Sequence, residues 1–170
     1  MGLVFQGANA KDVFFEDYAD KVNAFLLEHF GEKPKECDPY CSEELGWSGW
    51  RELQDFAKTE IADTKIPHFL SMEAWQGVFV PFLTEPGSVT LETGGTPLSI
   101  GCLQELLAEL GLIAATFSLP TDEAALHKLH QQCSEDDDRI DSDMHLQTFC
   151  QLLLAAQNAK ERSMPLWVVK

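Results

Sequence analysis

The chain has 170 residues, 45% of them hydrophobic, and its 28 Asp and Glu against 12 Lys and Arg give a net charge of −16. This length predicts one domain over residues 1–170 with its own hydrophobic core. Such an acidic chain repels nucleic acid and anionic membranes, so we expect no direct binding to either and favour a protein partner.

Residues 1–10 partly resemble the remnant of a cleaved expression tag, so we expect them to be disordered or tag-derived and give them no functional role.

The first two helices are predicted from local signals. Apolar residues recur near one helical stripe over residues 12–30, and the run ends at Gly31. Ser48 can cap a second helix, whose apolar side chains recur as far as Ile61.

The sheet is expected to begin after the second helix, where short apolar and β-branched runs replace helical periodicity. One strand is predicted over residues 68–75. A clearer one is predicted over residues 78–83, at an edge or a bulge because Pro81 cannot donate to a strand ladder. Residues 85–88 fit a type II turn, so the strand before it and a strand over 89–93 are predicted to form a hairpin.

The stretch 96–120 has the most complete local signals. Thr96 and Pro97 suit the start of a helix, leucines follow at helical spacing, and Gly111 suits the end of the helix. The run 112–119 then has the composition of a buried strand. The middle of the chain is therefore predicted to pass from helix to strand.

The last third is predicted to be mostly helical. Thr121 can cap a helix that ends near Cys133, an acidic loop covers residues 134–143, and a long apolar helix covers 144–160. Residues 165–169 have the composition of a strand that closes the sheet. The fold class is therefore α+β, with a small, mainly antiparallel sheet packed against about five helices in a single layer.

Two patterns suggest a binding surface. From Ile66 to His127 the chain contains acidic residues but no Lys or Arg, so any surface built by this segment is acidic. Tryptophans beside glycines can line a pocket or anchor an interface, although such residues more often pack in a core. The candidate binding residues are Trp47, Trp50, Glu73, Trp75, Phe79 and Glu92.

Metal motifs are weak. His127, His130 and Cys133 lie three residues apart on one predicted helix, but they drift by about 120° around its axis, which is wide for one ion. Residues 134–143 do not fit the register of an EF-hand loop. We therefore predict no metal and no cofactor.

The cysteines indicate no chemistry by themselves. Five cysteines in a chain of this size favour free thiols over a disulfide framework. Cys37 and Cys41 lack a second pair that would complete a zinc site. Cys102 lies beyond the first turn of the predicted central helix, and we interpret it as a buried thiol. No catalytic residue is assigned.

Three functional hypotheses follow. The first is a non-catalytic cytoplasmic interaction module that binds a protein partner, basic ones included, through an acidic and aromatic surface. The alternative is a small enzyme or small-molecule-binding protein with a site assembled from scattered residues. The candidate residues for that site are His68, Glu73 and Trp75. A pocket with two convergent titratable groups would favour this alternative. The third is an acidic mimic of nucleic acid. A homo-oligomer is compatible with each.

Overall fold

Seven helices and a six-stranded mixed sheet form the α+β fold of this computed structural model, which describes residues 2–30, 38–72, 76–81, 85–135 and 143–169. The helices are α1 (Ala10–Val13), α2 (Glu16–Phe30), α3 (Gly49–Lys58), α4 (Pro67–Ser71), α5 (Leu103–Phe117), α6 (Glu123–Glu135) and α7 (Met144–Glu161). The strands are β1 (Val4–Gly7), β2 (Tyr40–Cys41), β3 (Gln76–Val80), β4 (Gly87–Val89), β5 (Leu98–Cys102) and β6 (Leu166–Val169). Within these ranges no helix combines the length and hydropathy needed to cross a lipid bilayer.

The sheet has the strand order β2-β1-β6-β3-β5-β4. β3 and β5 are parallel, whereas β6 runs antiparallel to both β1 and β3. The sheet is therefore mixed rather than mainly antiparallel as the sequence predicted. The reason is the position of β5, which lies between β3 and β4 and pairs with both.

The predicted hairpin does not form. β4 begins at Gly87, inside the predicted turn, and pairs with β5 instead of β3. β3 lies inside the sheet between β6 and β5, not at an edge, and it ends before Pro81, which therefore does not interrupt a ladder. Residues 82–84, the end of the predicted strand, lie outside the described residues.

The strand predicted over residues 68–75 is replaced, as far as residue 71, by the helix α4, and residues 73–75 lie outside the described part of the chain. Pro67 occupies the first turn of α4, where its missing N–H costs nothing. The carboxylate of Glu109 accepts hydrogen bonds from the N–H groups of His68 and Phe69 at 3.0 and 2.7 Å. A residue 40 positions away thus supplies the cap that local sequence lacked.

The central stretch is also organised differently from the prediction. Residues that were expected to begin a helix form β5, and α5 then continues through Gly111 to Phe117, where a strand was expected. The helix ends at Ser118, whose φ of 55° is left-handed. β5 forms there because it gains ladder bonds from two neighbouring strands, and α5 continues because Ile113 extends its buried face.

Side chains of the strands alternate between two buried clusters. Phe79 and Val168 belong to the cluster that contains the buried faces of α3, α5 and α7. Val78 and Trp167 belong to the cluster that contains the buried face of α2. Neither cluster establishes the single helical layer expected from sequence, which stays a prediction, as does the single domain.

The two ends of the described chain meet in the sheet. The predicted strand at residues 165–169 is confirmed as β6, which lies between β1 and β3. β1 comes from the segment to which the sequence gave no role, and its Phe5 is fully buried. Phe5 is 5.8 Å from Trp50 between ring centroids, so this segment contributes to the core.

Candidate functional site

A break between α1 and α2 divides two neighbouring phenyl rings between the core and the solvent. Phe14 has an extended backbone, with φ −122° and ψ 157°, so the predicted continuous helix is interrupted there and α2 begins at Glu16. The ring of Phe14 packs edge to face with Trp167 at 5.1 Å and with Tyr18 at 5.0 Å between centroids. The next residue, Phe15, is 95% exposed.

A cavity of about 310 Å³ lies beside these rings, and we call it the aromatic pocket. The turn that precedes β5 forms its other wall. Gly94 has a φ of 78°, which favours glycine, and the N–H of Gly95 donates to the carbonyl of Glu92 at 3.0 Å, so the turn fixes Glu92 next to Gly95. The lining residues are Val13, Phe14, Phe15, Tyr18, Glu92, Gly95 and Thr96.

Glu92 gives the aromatic pocket a carboxylate that already holds an ammonium group. The Nζ of Lys21 donates a hydrogen bond to Oε1 of Glu92, and both side chains are about half exposed. This bond and the attraction of Glu92 raise the pKa of Lys21. Burial raises the pKa of Tyr18, and the charge of Glu92 raises it further, because the phenol lies within the field of the carboxylate.

The helices that build the pocket are acidic on their exposed side. The exposed carboxylates of α1 and α2 are those of Asp12, Glu16, Asp17, Asp20 and Glu28. Glu16 and Asp17 lie in the first turn of α2, where the helix dipole stabilises negative charge. Because Lys11 and Lys21 do not balance these charges, the surface around the pocket is negative overall.

Two of the predicted binding residues are buried. Trp50 is 2% exposed, and its Nε1–H donates to the carbonyl of Met72 at 2.9 Å. Phe79 is fully buried in the same cluster. Neither side chain is available to a partner in this structure, and both serve to pack the core.

The other predicted binding residues are dispersed or lie outside the described chain. Glu92 lines the aromatic pocket. Trp47 is 65% exposed on the connection that precedes α3 and does not line that pocket. Glu73 and Trp75 lie outside the described residues. The sequence therefore identified the carboxylate of the pocket but missed its rings, for which the only signal was an adjacent Phe-Phe pair in an otherwise amphipathic helix.

The weak metal candidates do not form a cluster. The imidazole of His127 is exposed and lies 3.8 Å from Glu123, whereas Nε2 of His130 lies 2.8 Å from Oε2 of Glu43. Cys133 is half-buried, and burial raises its pKa. Among the described residues no group of three or more His, Cys, Asp and Glu is placed to hold a metal ion.

Two further sequence candidates fall partly beyond the described residues. Most of the acidic loop, residues 136–142, lies outside them, and so does Cys37. Its neighbour in the proposed pair, Cys41, is exposed. Cys102 occupies the N-cap position of α5, not a place beyond its first turn, and is fully buried.

A second cavity, of about 320 Å³, lies where α4 meets α5, and we call it the histidine pocket. His68 and Glu109 are 7% and 6% exposed there. The lining residues are Thr64, Lys65, Pro67, His68, Glu105, Ala108, Glu109 and Leu112.

The polar groups of the histidine pocket make hydrogen bonds within the protein. The N–H of Cys102 donates to Nδ1 of His68 at 3.0 Å, so the neutral imidazole carries its proton on Nε2. Burial lowers the pKa of His68 and keeps the ring neutral. Burial also raises the pKa of Glu109, against the effect of the two N–H groups that its oxygens accept.

Comparison with protein-family models, with curated proteins and with solved structures finds no match to this chain. The two pockets differ in how the side chains that line them are bonded. In the histidine pocket, His68 and Glu109 make hydrogen bonds that hold α4 and the start of α5 in place. In the aromatic pocket, Phe15 has no comparable role in the core, because its ring is almost fully exposed.

Proposed function

We propose that this protein is a non-catalytic interaction module that binds a basic protein partner through the aromatic pocket and the acidic surface of α1 and α2. The observation that carries the proposal is the 95% exposure of Phe15 beside a cavity of about 310 Å³. Burying a phenylalanine side chain contributes roughly 1.5–3 kcal/mol. A partner that covers Phe15 gains this contribution, which the protein alone does not obtain.

Charge supports a basic partner. Glu92, which lines the pocket, forms an ion pair with the ammonium group of Lys21. The exposed acids of α1 and α2, together with a net charge of −16, attract a basic surface and accelerate its association. Because these charges are exposed, their contribution weakens as salt concentration rises.

The proposal includes a cytoplasmic location and no direct binding to nucleic acid. Four cysteines in the described part of the chain, Cys41, Cys102, Cys133 and Cys150, are free thiols. Free thiols are typical of a reducing compartment. The negative charge of the chain disfavours contact with phosphate backbones.

Affinity capture from native lysate tests the proposal with a matched pair of variants. Phe15→Ala removes the exposed ring, and Leu27→Ala removes another exposed apolar side chain, 54% accessible, from the same helix. We expect the wild type and Leu27→Ala to capture the same partner, and Phe15→Ala to capture severalfold less. Added salt should weaken capture. Equal capture by Phe15→Ala, or a monomeric wild type that captures no specific partner, contradicts the proposal.

The histidine pocket supports a second candidate function, a small enzyme or small-molecule-binding protein. Its supporting observation is the convergence of two buried titratable side chains, His68 and Glu109, on one cavity. A screen of small polar molecules that follows the ring resonances of His68 by NMR tests it, with the exposed His127 as the internal control. Binding should shift the signals of His68 and be lost in His68→Gln. The third hypothesis, an acidic mimic of nucleic acid, stays a prediction.

A further inference from the structure

We propose that the aromatic pocket is a cage for a methylated ammonium group, and that its occupant is a methylated lysine side chain of the protein partner. This inference rests on the proposed function, because it names the chemical group that the same pocket receives.

The rings provide faces at right angles. The planes of Phe14 and Tyr18 meet at 81° with their centroids 5.0 Å apart, and Phe15 adds a third, exposed ring to the lining. A cation is attracted to the face of an aromatic ring when it lies within about 6 Å of the centroid. In this edge-to-face pair one ring points its edge at the other, which leaves a corner where a compact cation can contact the face of one ring and the rim of the other. A single ring or a parallel stack has no such corner.

A methylated ammonium needs fewer hydrogen-bond acceptors from the pocket than an unmodified one does. A lysine ammonium carries three N–H donors and is strongly hydrated, so it needs several acceptors when it leaves water. The side-chain acceptors that line the pocket are Glu92, Tyr18 and Thr96, and Oε1 of Glu92 already accepts a hydrogen bond from Lys21. A trimethylated ammonium has no N–H donor and requires only ring faces and a nearby negative charge.

The same contact argues against arginine. A guanidinium binds a carboxylate best when both carboxylate oxygens accept parallel hydrogen bonds. In Glu92 one of these oxygens is engaged by Lys21. A methylated ammonium needs no hydrogen bond from this carboxylate and interacts with it through charge alone, whereas an arginine finds only part of its usual geometry.

Lys21 opposes an incoming cation, because its own charge lies at the carboxylate that would attract that cation. Both side chains are about half exposed, so the pair can separate without opening the core. Removing the positive charge at residue 21 should therefore strengthen binding, an effect that a general apolar contact would not produce.

The experiment is an NMR titration of the full chain that follows the ring signals of phenylalanine and tyrosine. The first probes are choline and its neutral analogue, in which a tert-butyl group replaces trimethylammonium. The next are one short peptide in three forms, with trimethyl-lysine, lysine or arginine at its centre. We expect choline to shift the signals of Phe14, Phe15 and Tyr18, its neutral analogue to shift them much less, and the trimethyl-lysine peptide to bind most tightly.

Variants assign the effect to the pocket. Phe15→Leu keeps an apolar side chain but removes the ring, and should weaken binding of the trimethyl-lysine peptide about two- to fivefold. Glu92→Gln should weaken it and Lys21→Gln should strengthen it. Leu27→Ala is the matched control and should leave the affinity unchanged.

The outcomes separate this inference from the proposed function. If the lysine and trimethyl-lysine peptides bind equally, through Phe15 and Glu92, and choline does not bind, the cage is overturned and the basic-partner module stands. If choline binds but the trimethyl-lysine peptide has no advantage, the assignment to a protein side chain is overturned. If no peptide binds and capture from lysate does not depend on Phe15, both fail.

Discussion

The aromatic pocket and the histidine pocket have nearly equal volumes, about 310 and 320 Å³, but they differ in the burial and hydrogen bonding of their key side chains. In the histidine pocket the chemically interesting groups, His68 and Glu109, are buried and make hydrogen bonds to main-chain N–H groups. In the aromatic pocket the phenyl ring of Phe15 is in solvent. Buried titratable groups can thus be structural, while the exposed ring of Phe15 does not pack in the core.

This difference ranks the two candidate functions. A general acid or base must be free to exchange a proton with a substrate, but both oxygens of Glu109 and Nδ1 of His68 are engaged by the fold. An interaction surface needs apolar area that a partner can cover, and Phe15 provides it.

The largest effect is expected for Glu109→Leu. This change leaves the buried N–H groups of His68 and Phe69 without their acceptor, and each such group costs about 1–3 kcal/mol. We expect the free energy of unfolding, measured by urea denaturation, to fall by about 2–4 kcal/mol. Glu109→Gln retains one acceptor oxygen and should lose less. A stability of Glu109→Leu equal to that of the wild type would show that these bonds do not hold α4.

A smaller loss is expected for His68→Leu, which removes the acceptor of one buried N–H group, that of Cys102. The free energy of unfolding should fall by about 1–3 kcal/mol. His68→Gln, whose side-chain oxygen can accept the same hydrogen bond, should restore part of the loss. If His68→Gln is no more stable than His68→Leu, the contribution of His68 is packing and not this bond.

His68 also predicts how the stability of the protein depends on pH. Because burial lowers the pKa of His68 below 6.5, the unfolded chain binds a proton at pH values where the folded ring stays neutral. Its contribution to stability is therefore complete above pH 6.5 and is lost as pH falls through the folded pKa. The pKa of Glu109 is raised, so its contribution runs the other way and is lost as pH rises through its folded pKa.

Urea denaturation at several pH values isolates the contribution of His68. The wild type should lose more stability between neutral and mildly acidic pH than His68→Gln, since Glu109 is present in both proteins and cancels. Burial also lowers the pKa of His145, so His145→Gln is measured in parallel. Identical pH profiles for the wild type and His68→Gln would mean that protonation of His68 does not oppose folding.

The smallest effect on stability is expected for Phe15→Ala, because its ring is already exposed. Its free energy of unfolding should stay within about 0.5 kcal/mol of that of the wild type. Binding of the partner should nevertheless weaken severalfold, while Leu27→Ala retains both stability and binding. A clear loss of stability in Phe15→Ala would reassign this ring to the core and remove the contrast between the pockets.

Elements with strong local periodicity were predicted well from sequence. The helix expected after Ser48 is α3, the helix expected over residues 144–160 is α7 (Met144–Glu161), and the closing strand is β6. In α3 the apolar side chains of Trp50, Leu53 and Ala57 are buried at helical spacing, as the pattern indicated. A local pattern suffices when an element's own residues define its buried face.

Elements that depend on distant partners were predicted wrongly. Thr96 and Pro97 have the signals of a helix start, but the residues that follow them, 98–102, form β5 because β3 and β4 pair with them. Residues 68–71 have strand composition, but Glu109 caps them as a helix. Gly87 was predicted to lie in a turn that pairs the strands before and after it. Instead Gly87 begins β4, which pairs with β5, the next strand along the chain.

The sequence by itself determined the acidity of this protein, its α+β composition and the elements whose buried face recurs along one segment. Only the tertiary structure decided the position of β5, the role of Glu109 and the separation of Phe14, which packs on Trp167, from the exposed Phe15. The physical reason is the relative size of the energies. Local propensities differ by about 1 kcal/mol or less per residue, whereas a buried side chain contributes about 1.5–3 kcal/mol, so contacts between distant residues override local preference.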